Sequence, residues 1–323
     1  MRPLLIGFGA GLVSALLLFA GYLFASPLVV LLMYLSPLPL AVAGLSFGLP
    51  AVLAGIAGTV VVGLQVSFGL TIGHLLAVGL PVAVLIRQGL LARGAEEAGP
   101  DATDVADGRQ WYPLGQLVVW LGGLAMVLFA AVLVATADEP GGLVGFLEER
   151  LLLLLEHFGA RMGGALSGGT QAETAARMAR LMPAIGTVTW MVVMALNFAL
   201  AQGLARRFGW NLRPSPRFDN LVLPRWLGLV LGAAAVAAFS PGDFGLVAGV
   251  LFAVTFGAYL VQGLSVLHKA ARLTPVPGLV MTGVFMAIGL FGVPAVLVAG
   301  LGLVEDWFRL RRRIGGGRPG QEV

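Results

Sequence analysis

The sequence lacks cysteine entirely and is poor in charge, since Asp, Glu, Lys and Arg make up only 11% of its 323 residues. The missing cysteine excludes disulfides, thiol catalysis and thiolate metal sites. The charged fraction is less than half of the roughly 25% found in soluble domains, whereas hydrophobic residues reach 58% and the mean hydropathy is +0.94. A soluble fold could not bury this much apolar surface, so the lipid bilayer is the solvent for most of the chain.

Several functional motifs are also missing. The sequence has no Walker A motif and no HExxH motif, and no long apolar run carries a carboxylate near its centre. These absences disfavour nucleotide hydrolysis, a zinc protease site and a proton or sodium pathway. The three histidines are scattered without ligand spacing, so we expect no metal and no cofactor. The net charge of +4 comes mostly from arginines between apolar runs, a pattern that indicates membrane orientation rather than nucleic-acid binding.

Long apolar runs are what the sequence does contain, and they predict an all-α polytopic transmembrane helix bundle of about ten membrane segments. The segments cover residues 4–25, 28–45, 48–68, 70–91, 111–137, 182–205, 225–239 and 244–264, followed by two within 276–310. Gly292-Val293-Pro294 interrupts the last stretch, so one kinked helix there, giving nine segments, stays open. The first run could also be a signal peptide, but its length of about 20 residues exceeds the usual apolar region of about 7–15.

Charge and polarity divide the chain further. We expect four N-terminal transmembrane helices at 1–91, a polar cytoplasmic loop at 92–110, a fifth transmembrane helix at 111–137, an extra-cytoplasmic amphipathic insertion at 138–181, a C-terminal transmembrane bundle at 182–310 and a basic cytoplasmic tail at 311–323. The apolar core of the insertion is short and charged, which is typical of helices lying on a membrane, and a second short helix is expected over 171–181. The positive-inside rule then predicts a multi-pass membrane protein with both termini cytoplasmic.

Polar side chains inside the apolar runs are the candidate substrate-binding residues. They are Thr71 and His74 in the fourth segment, Trp190 and Asn197 in the sixth, and Thr255, Tyr259 and Gln262 in the eighth. Spacings of three, four and seven residues place members of each group on one helix face. Such a face avoids lipid, so these side chains either hydrogen-bond a neighbouring helix or line a cavity.

Arginines near the segment ends are candidates for contact with a partner or with anionic lipid. They are Arg206, Arg207, Arg309, Arg311, Arg312 and Arg313. Glu305 and Asp306 precede Arg309 by four and three residues, a spacing that predicts ion pairs along one helix. No catalytic residue is expected, although Glu148, Glu149, Glu156 and His157 form the one acidic group that a lipid-modifying enzyme could use.

The C-terminal third carries the motifs of a known family. These are VQGLSVLH at 261–268 and LGLVEDWFRLRR at 301–312, with Asn197 and the AQG tripeptide at 201–203 upstream. Together they resemble the YybS-like family of uncharacterised bacterial membrane proteins, most clearly over 180–313. The resemblance implies that the membrane is the bacterial cytoplasmic (inner) membrane. The resemblance implies a relation to the substrate-binding S components of energy-coupling-factor transporters, which bind a small molecule and depend on separate ATPase and coupling subunits.

The sequence therefore leaves two alternative non-enzymatic functions. The first is transport-related binding of a small molecule in the outer half of the bundle, with external ATPase partners, because the chain has no nucleotide motif of its own. The alternative is a structural or scaffolding membrane protein in envelope assembly without a small-molecule ligand. In both, membrane lipid is a partner and nucleic acid is not.

Overall fold

The computed structural model describes residues 1–23, 26–94, 105–161 and 168–313, and these residues are almost entirely helical. The N-terminal helices are α1 (Arg2–Leu23), α2 (Pro27–Tyr34), α3 (Pro37–Phe47), α4 (Leu49–Val66), α5 (Phe68–His74), a π-helical turn (Leu75–Gly79) and α6 (Leu80–Gly89). The later helices are α7 (Leu114–Ala135), α8 (Gly142–Arg161), α9 (Gly168–Arg207), α10 (Trp226–Ala237), α11 (Gly242–Ala271), α12 (Pro277–Phe291), α13 (Val293–Phe308) and α14 (Leu310–Arg313).

Within the described residues, seven helical stretches are long and apolar enough to cross a membrane, which supports the polytopic all-α class. They are Arg2–Gly21, Val29–Phe47, Leu49–Val66, Phe68–Gly89, Leu114–Ala135, Gln171–Arg207 and Gly242–Ala271. The other predicted segments correspond to shorter helices, namely α10, α12 and α13. A count of about ten therefore stays a prediction, because helices of 12 to 16 residues fall short of the roughly 20 that a bilayer requires.

Two prolines fall within the N-terminal apolar runs. Pro37 is the first residue of α3, directly after the break at Leu35 and Ser36, and proline suits this position because its missing N–H would have no intrahelical partner there. Pro81 follows the π-helical turn in a helical run that is continuous from Phe68 to Gly89. The second predicted segment is therefore built from two helices joined by a local break, whereas the fourth is one helix that contains a π-helical turn.

A small sheet replaces part of the predicted polar loop. Strands β1 (Ala92–Gly94), β2 (Val105–Ala106) and β3 (Arg109–Trp111) pair antiparallel in the order β1-β3-β2. Arg93 faces Gln110 across the first pair, and its Nε donates to Gln110 Oε1 over 2.6 Å. Because Trp111 belongs to this sheet, the following helix begins at Leu114, three residues later than predicted.

Helix α9 is continuous from Gly168 to Arg207, so the prediction of a separate short helix over 171–181 is wrong. Pro183 lies inside α9 and provides no N–H for a helical hydrogen bond. The helix nevertheless continues, and the Thr187 hydroxyl donates to the Pro183 carbonyl over 2.7 Å. The good helix formers before Pro183, such as Ala176 and Met178, favour this continuation.

The chain forms two compact units. The first comprises Met1–Leu121, Val192–Arg225 and Ala258–Val323, and the second comprises Gly122–Met191 and Trp226–Gly257. In the first unit, α1 packs closely on α4, because Gly7 and Gly11 lie against the backbone at Ala51 and Gly55. Small residues let the two backbones approach, as is common between membrane helices.

Candidate functional site

A buried polar cluster surrounds the break between α2 and α3. We call it the break cluster and define it as Ser14, Ser36, His74 and Asn197, all at most 2% exposed. Buried backbone carbonyls at a helix break need hydrogen-bond donors. Ser14 Oγ donates to the Ser36 carbonyl over 2.7 Å, and Asn197 Nδ2 donates to the Tyr34 carbonyl over 2.9 Å. The break therefore draws side chains from α1 and α9 into one place.

His74 joins this cluster through Ser14. Its Nε2 lies 3.1 Å from Ser14 Oγ, and the single hydroxyl proton of Ser14 is already donated to the Ser36 carbonyl. Assigning the hydroxyl proton to that bond gives Nε2 the imidazole proton, which it donates to Ser14, and leaves Nδ1 as an acceptor. Nδ1 is buried and has no hydrogen-bond partner among the described residues. The ring of Phe19 lies edge-on to the imidazole at 6.3 Å.

Asn197 also keeps one acceptor free. Its Nδ2 donates to both the Tyr34 carbonyl and the Val193 carbonyl, and this fixes the orientation of the amide because carbonyls only accept. Its Oδ1 is buried and has no partner within the described part of the chain. The break cluster thus contains two buried acceptors, Nδ1 of His74 and Oδ1 of Asn197. Asn197 bonds the carbonyl just before the two-residue break, and His74 reaches the break through Ser14.

The remaining predicted binding residues lie elsewhere. Thr71 is buried, and its hydroxyl donates to the Ser67 carbonyl at the start of its own helix over 2.7 Å. Thr255 is in the second unit, where its hydroxyl donates to the Leu251 carbonyl over 2.8 Å. Trp190 is also in the second unit and is half-buried. Helix periodicity grouped these residues by face, but it could not show which hydroxyls bond their own backbone.

Tyr259 and Gln262 belong to a second cluster, which joins α11 to α13. Gln262 Nε2 donates to the Gly302 carbonyl and to Asp306 Oδ1, both over 2.7 Å, and its Oε1 accepts from the Leu223 N–H over 2.6 Å. The Tyr259 hydroxyl donates to Asp306 Oδ2 over 2.8 Å. The polar groups of Tyr259 and Gln262 thus bond other parts of the protein, as expected for side chains that form hydrogen bonds between helices.

Arg311 completes this second cluster instead of facing lipid. It is 6% exposed, and its Nε donates to Glu305 Oε1 over 2.9 Å. Its Nη1 donates to the Asp219 carbonyl over 2.8 Å and lies 3.3 Å from Ser265 Oγ. The expected surface contact of Arg311 with lipid or a partner is therefore corrected, because the guanidinium is enclosed by protein.

The ion pairs expected between Arg309 and the two acids before it do not form either. Helix α13 ends at Phe308, and Arg309 adopts the left-handed conformation with φ 46°. This reversal brings Arg311 back onto Glu305, six positions away, while Asp306 bonds Tyr259 and Gln262. A spacing rule that assumes an uninterrupted helix could not find this pairing.

The other basic candidates are exposed where the structure describes them, and their contact with a partner or lipid stays a prediction. Arg206 and Arg207 end α9 with exposed side chains, and Arg309 is exposed as well. The side chains of Arg312 and Arg313 lie outside the described residues.

Arg213 was missed by the sequence reasoning because it lies in an irregular loop. It is 3% exposed, and its two terminal nitrogens donate to the Gly89 and Tyr112 carbonyls, each over 2.9 Å. Its guanidinium also lies 5.9 Å from the centre of the Trp111 ring. Arg213 thus ties the loop to the end of α6 and to the small sheet.

Ser46 lies in a GxSxG sequence, Gly44–Gly48, which the sequence reasoning also missed. In hydrolases that motif places its serine on a sharp turn from strand to helix, where the hydroxyl is exposed. Ser46 instead lies near the end of helix α3 and is buried. Its setting is therefore not that of a catalytic nucleophile. Among the described residues there is also no group of three or more His, Cys, Asp or Glu able to hold a metal ion.

Comparison with known proteins gives one family. Residues 154–305, just under half of the chain, match the model of a family described as predicted membrane protein (DUF2232). Over this stretch the chain is thus similar to a family of uncharacterised membrane proteins. No curated protein and no solved structure matches the chain.

Proposed function

We propose that this integral membrane protein binds a small molecule bearing hydrogen-bond donors at the break cluster. The observation that carries the proposal is the pair of buried acceptors without partners, Nδ1 of His74 and Oδ1 of Asn197. An unsatisfied buried polar atom costs about 1–3 kcal/mol. A ligand that donates to these atoms, such as an amine, amide or hydroxyl compound, offsets that cost, so the site favours it over purely accepting molecules.

The π-helical turn beside His74 fits this role. It covers Leu75–Gly79 and begins at the residue after His74. Such turns are rare inside helices and occur frequently at functional sites, because the widened turn weakens the regular hydrogen-bond ladder. The segment that carries His74 is thus a point where the helix can adjust around a ligand.

Transport is the process that we assign to this binding. The chain has no Walker A motif, so any ATP-driven step requires a separate ATPase subunit and a coupling subunit. The resemblance of the C-terminal motifs to the YybS-like family, and through it to substrate-binding transporter components, supports the same division of labour. The exposed Arg206 and Arg207 offer a basic contact for a cytoplasmic partner.

Native mass spectrometry of the protein extracted from its own host membrane tests the proposal. We expect a retained small molecule, and we expect His74→Ala and Asn197→Ala to lower its occupancy roughly tenfold or more, since each removes a buried hydrogen bond. Thr255→Ala is the matched control, because Thr255 is equally buried and its hydroxyl bonds carbonyls of its own helix.

Two results would contradict the binding function. One is a protein that carries no small molecule, and the other is equal occupancy in the wild type and both site variants. Recovery of envelope-assembly proteins with the ligand-free chain would instead favour the scaffolding alternative. Co-purification of an ATPase is the separate readout for the transport assignment.

A further inference from the structure

A groove lies where the end of α11 meets the start of α12, in the first unit. It encloses about 460 Å³, and its lining is mainly apolar. Its apolar lining includes the side chains of Phe218, Met281 and Phe285, and Gly278 lines it without a side chain. Two basic residues, His268 and Arg272, lie at one end. We call this space the C-terminal groove. It is separate from the break cluster, and none of its residues takes part in the proposed small-molecule site.

The basic end of the groove carries an exposed guanidinium that is paired with a carboxylate. Arg272 Nη1 donates to Asp219 Oδ2 over 2.8 Å, yet the Arg272 side chain is 64% exposed while that of Asp219 is only 20% exposed. His268 Nε2 lies 3.8 Å from the other carboxylate oxygen. The Asp219 carboxylate is therefore the more buried partner, and it holds the exposed Arg272 guanidinium in position. A guanidinium has five N–H donors, so donors remain for an anion arriving from outside.

The apolar wall of the groove continues along α12. No residue of α12 is buried, and Leu279, Phe285 and Leu290 are each more than half exposed. Arg272 directly follows Ala271, the last residue of a helix long and apolar enough to span the membrane. The charged end is thus at the boundary of a membrane span, and the exposed apolar wall begins five residues later.

We propose that the C-terminal groove binds an anionic phospholipid. Its phosphate contacts Arg272, with His268 beside it, and one acyl chain lies along Met281 and Phe285. A soluble phosphate compound would use the guanidinium but gain nothing from the apolar wall, whereas an uncharged lipid would use the wall and gain nothing from Arg272. An amphiphile with an anionic head matches both ends of the groove.

Lipid binding to the full-length chain in detergent provides the test, read by native mass spectrometry. The probes are phosphatidylglycerol and phosphatidylcholine with identical acyl chains, and inorganic phosphate. We expect the wild type to prefer phosphatidylglycerol, and inorganic phosphate in excess not to displace it. Arg272→Gln should lower phosphatidylglycerol binding about fivefold, the contribution of one arginine at a membrane surface. Arg225→Gln, which removes another exposed arginine beside a membrane helix, should leave binding unchanged.

A second pair of variants tests the apolar end. Gly278 lines the groove, and an added Cβ there meets nothing within 4 Å, so Gly278→Leu adds an apolar side chain at the groove without a clash at its Cβ. Gly283→Leu is the matched control on the same helix, equally open but outside the groove lining. We expect Gly278→Leu to reduce binding of phosphatidylglycerol and Gly283→Leu not to. Equal binding in the wild type, Arg272→Gln and Gly278→Leu, equal loss in the control variants, or displacement by inorganic phosphate would overturn the proposal.

Discussion

Single residues decide much of the stability of the C-terminal region, and Arg311 is the clearest case. Arg311 and Glu305 form an ion pair whose side chains are each 7% exposed. Buried charges are costly to remove from water, so each partner depends on the other and on the surrounding hydrogen bonds. Arg177 and Glu173 also pair, but their side chains are 77% and 65% exposed, so water already solvates them.

We expect Arg311→Met to destabilise the protein by about 3–5 kcal/mol, because Glu305 would be left buried without its charged partner. Arg177→Met should change the free energy of unfolding by about 0.5 kcal/mol or less, since exposed pairs contribute little. Thermal unfolding in detergent measures both. Similar shifts for the two variants would show that burial of the Arg311 pair has no energetic importance. The double variant Glu305→Gln, Arg311→Met should be destabilised less than Arg311→Met alone, because no unpaired charge is left buried.

At the scale of elements, close helix contacts depend on particular glycines. Gly11 of α1 lies against the backbone of Gly55 in α4, and the Thr59 hydroxyl of α4 donates to the Gly11 carbonyl over 3.1 Å. Gly9 is only two positions away, but an added Cβ there meets nothing within 4 Å. The two glycines thus share a helix and differ in what they contact.

Gly11→Ala should therefore destabilise the protein by about 1–3 kcal/mol, because the added methyl forces the two helices apart. Gly9→Ala should be neutral or stabilising by up to about 1 kcal/mol, since alanine has the higher helix propensity. The midpoint of thermal unfolding distinguishes the two variants. If Gly9→Ala were as damaging as Gly11→Ala, the packing of α1 on α4 described above would be incorrect.

At the scale of the whole molecule, the distribution of arginine predicts the direction in which each segment crosses the membrane. The positive-inside rule predicts a cytoplasmic loop near Asp107, an extra-cytoplasmic insertion near Glu149 and a cytoplasmic tail after α13. Asp107, Glu149 and Arg309 are all exposed. The chain contains no cysteine, so a single introduced cysteine reports its own position without background labelling.

Labelling of intact cells with a membrane-impermeant maleimide tests this arrangement. We expect Glu149→Cys to react in intact cells, and Asp107→Cys and Arg309→Cys to react only after permeabilisation. Reaction of Arg309→Cys from outside would mean that 276–310 crosses the membrane once, as one kinked segment, and that the chain has nine segments. Unreactive Glu149→Cys in intact cells would contradict the extra-cytoplasmic placement of the insertion.

The sequence by itself determined the solvent and the class of fold, because an apolar content of 58% requires a bilayer and a bilayer requires backbone hydrogen bonds within each segment. It also indicated that Asn197, His74, Tyr259 and Gln262 face protein, because polar residues in long apolar runs avoid lipid. Tertiary structure alone decided what those residues contact. At the break around Ser36, Asn197 and the His74-bonded Ser14 donate to backbone carbonyls, and the reversal at Arg309 brings Arg311 to Glu305. Both depend on places where a helix stops, and helix periodicity carries no information about side-chain partners beyond such a stop.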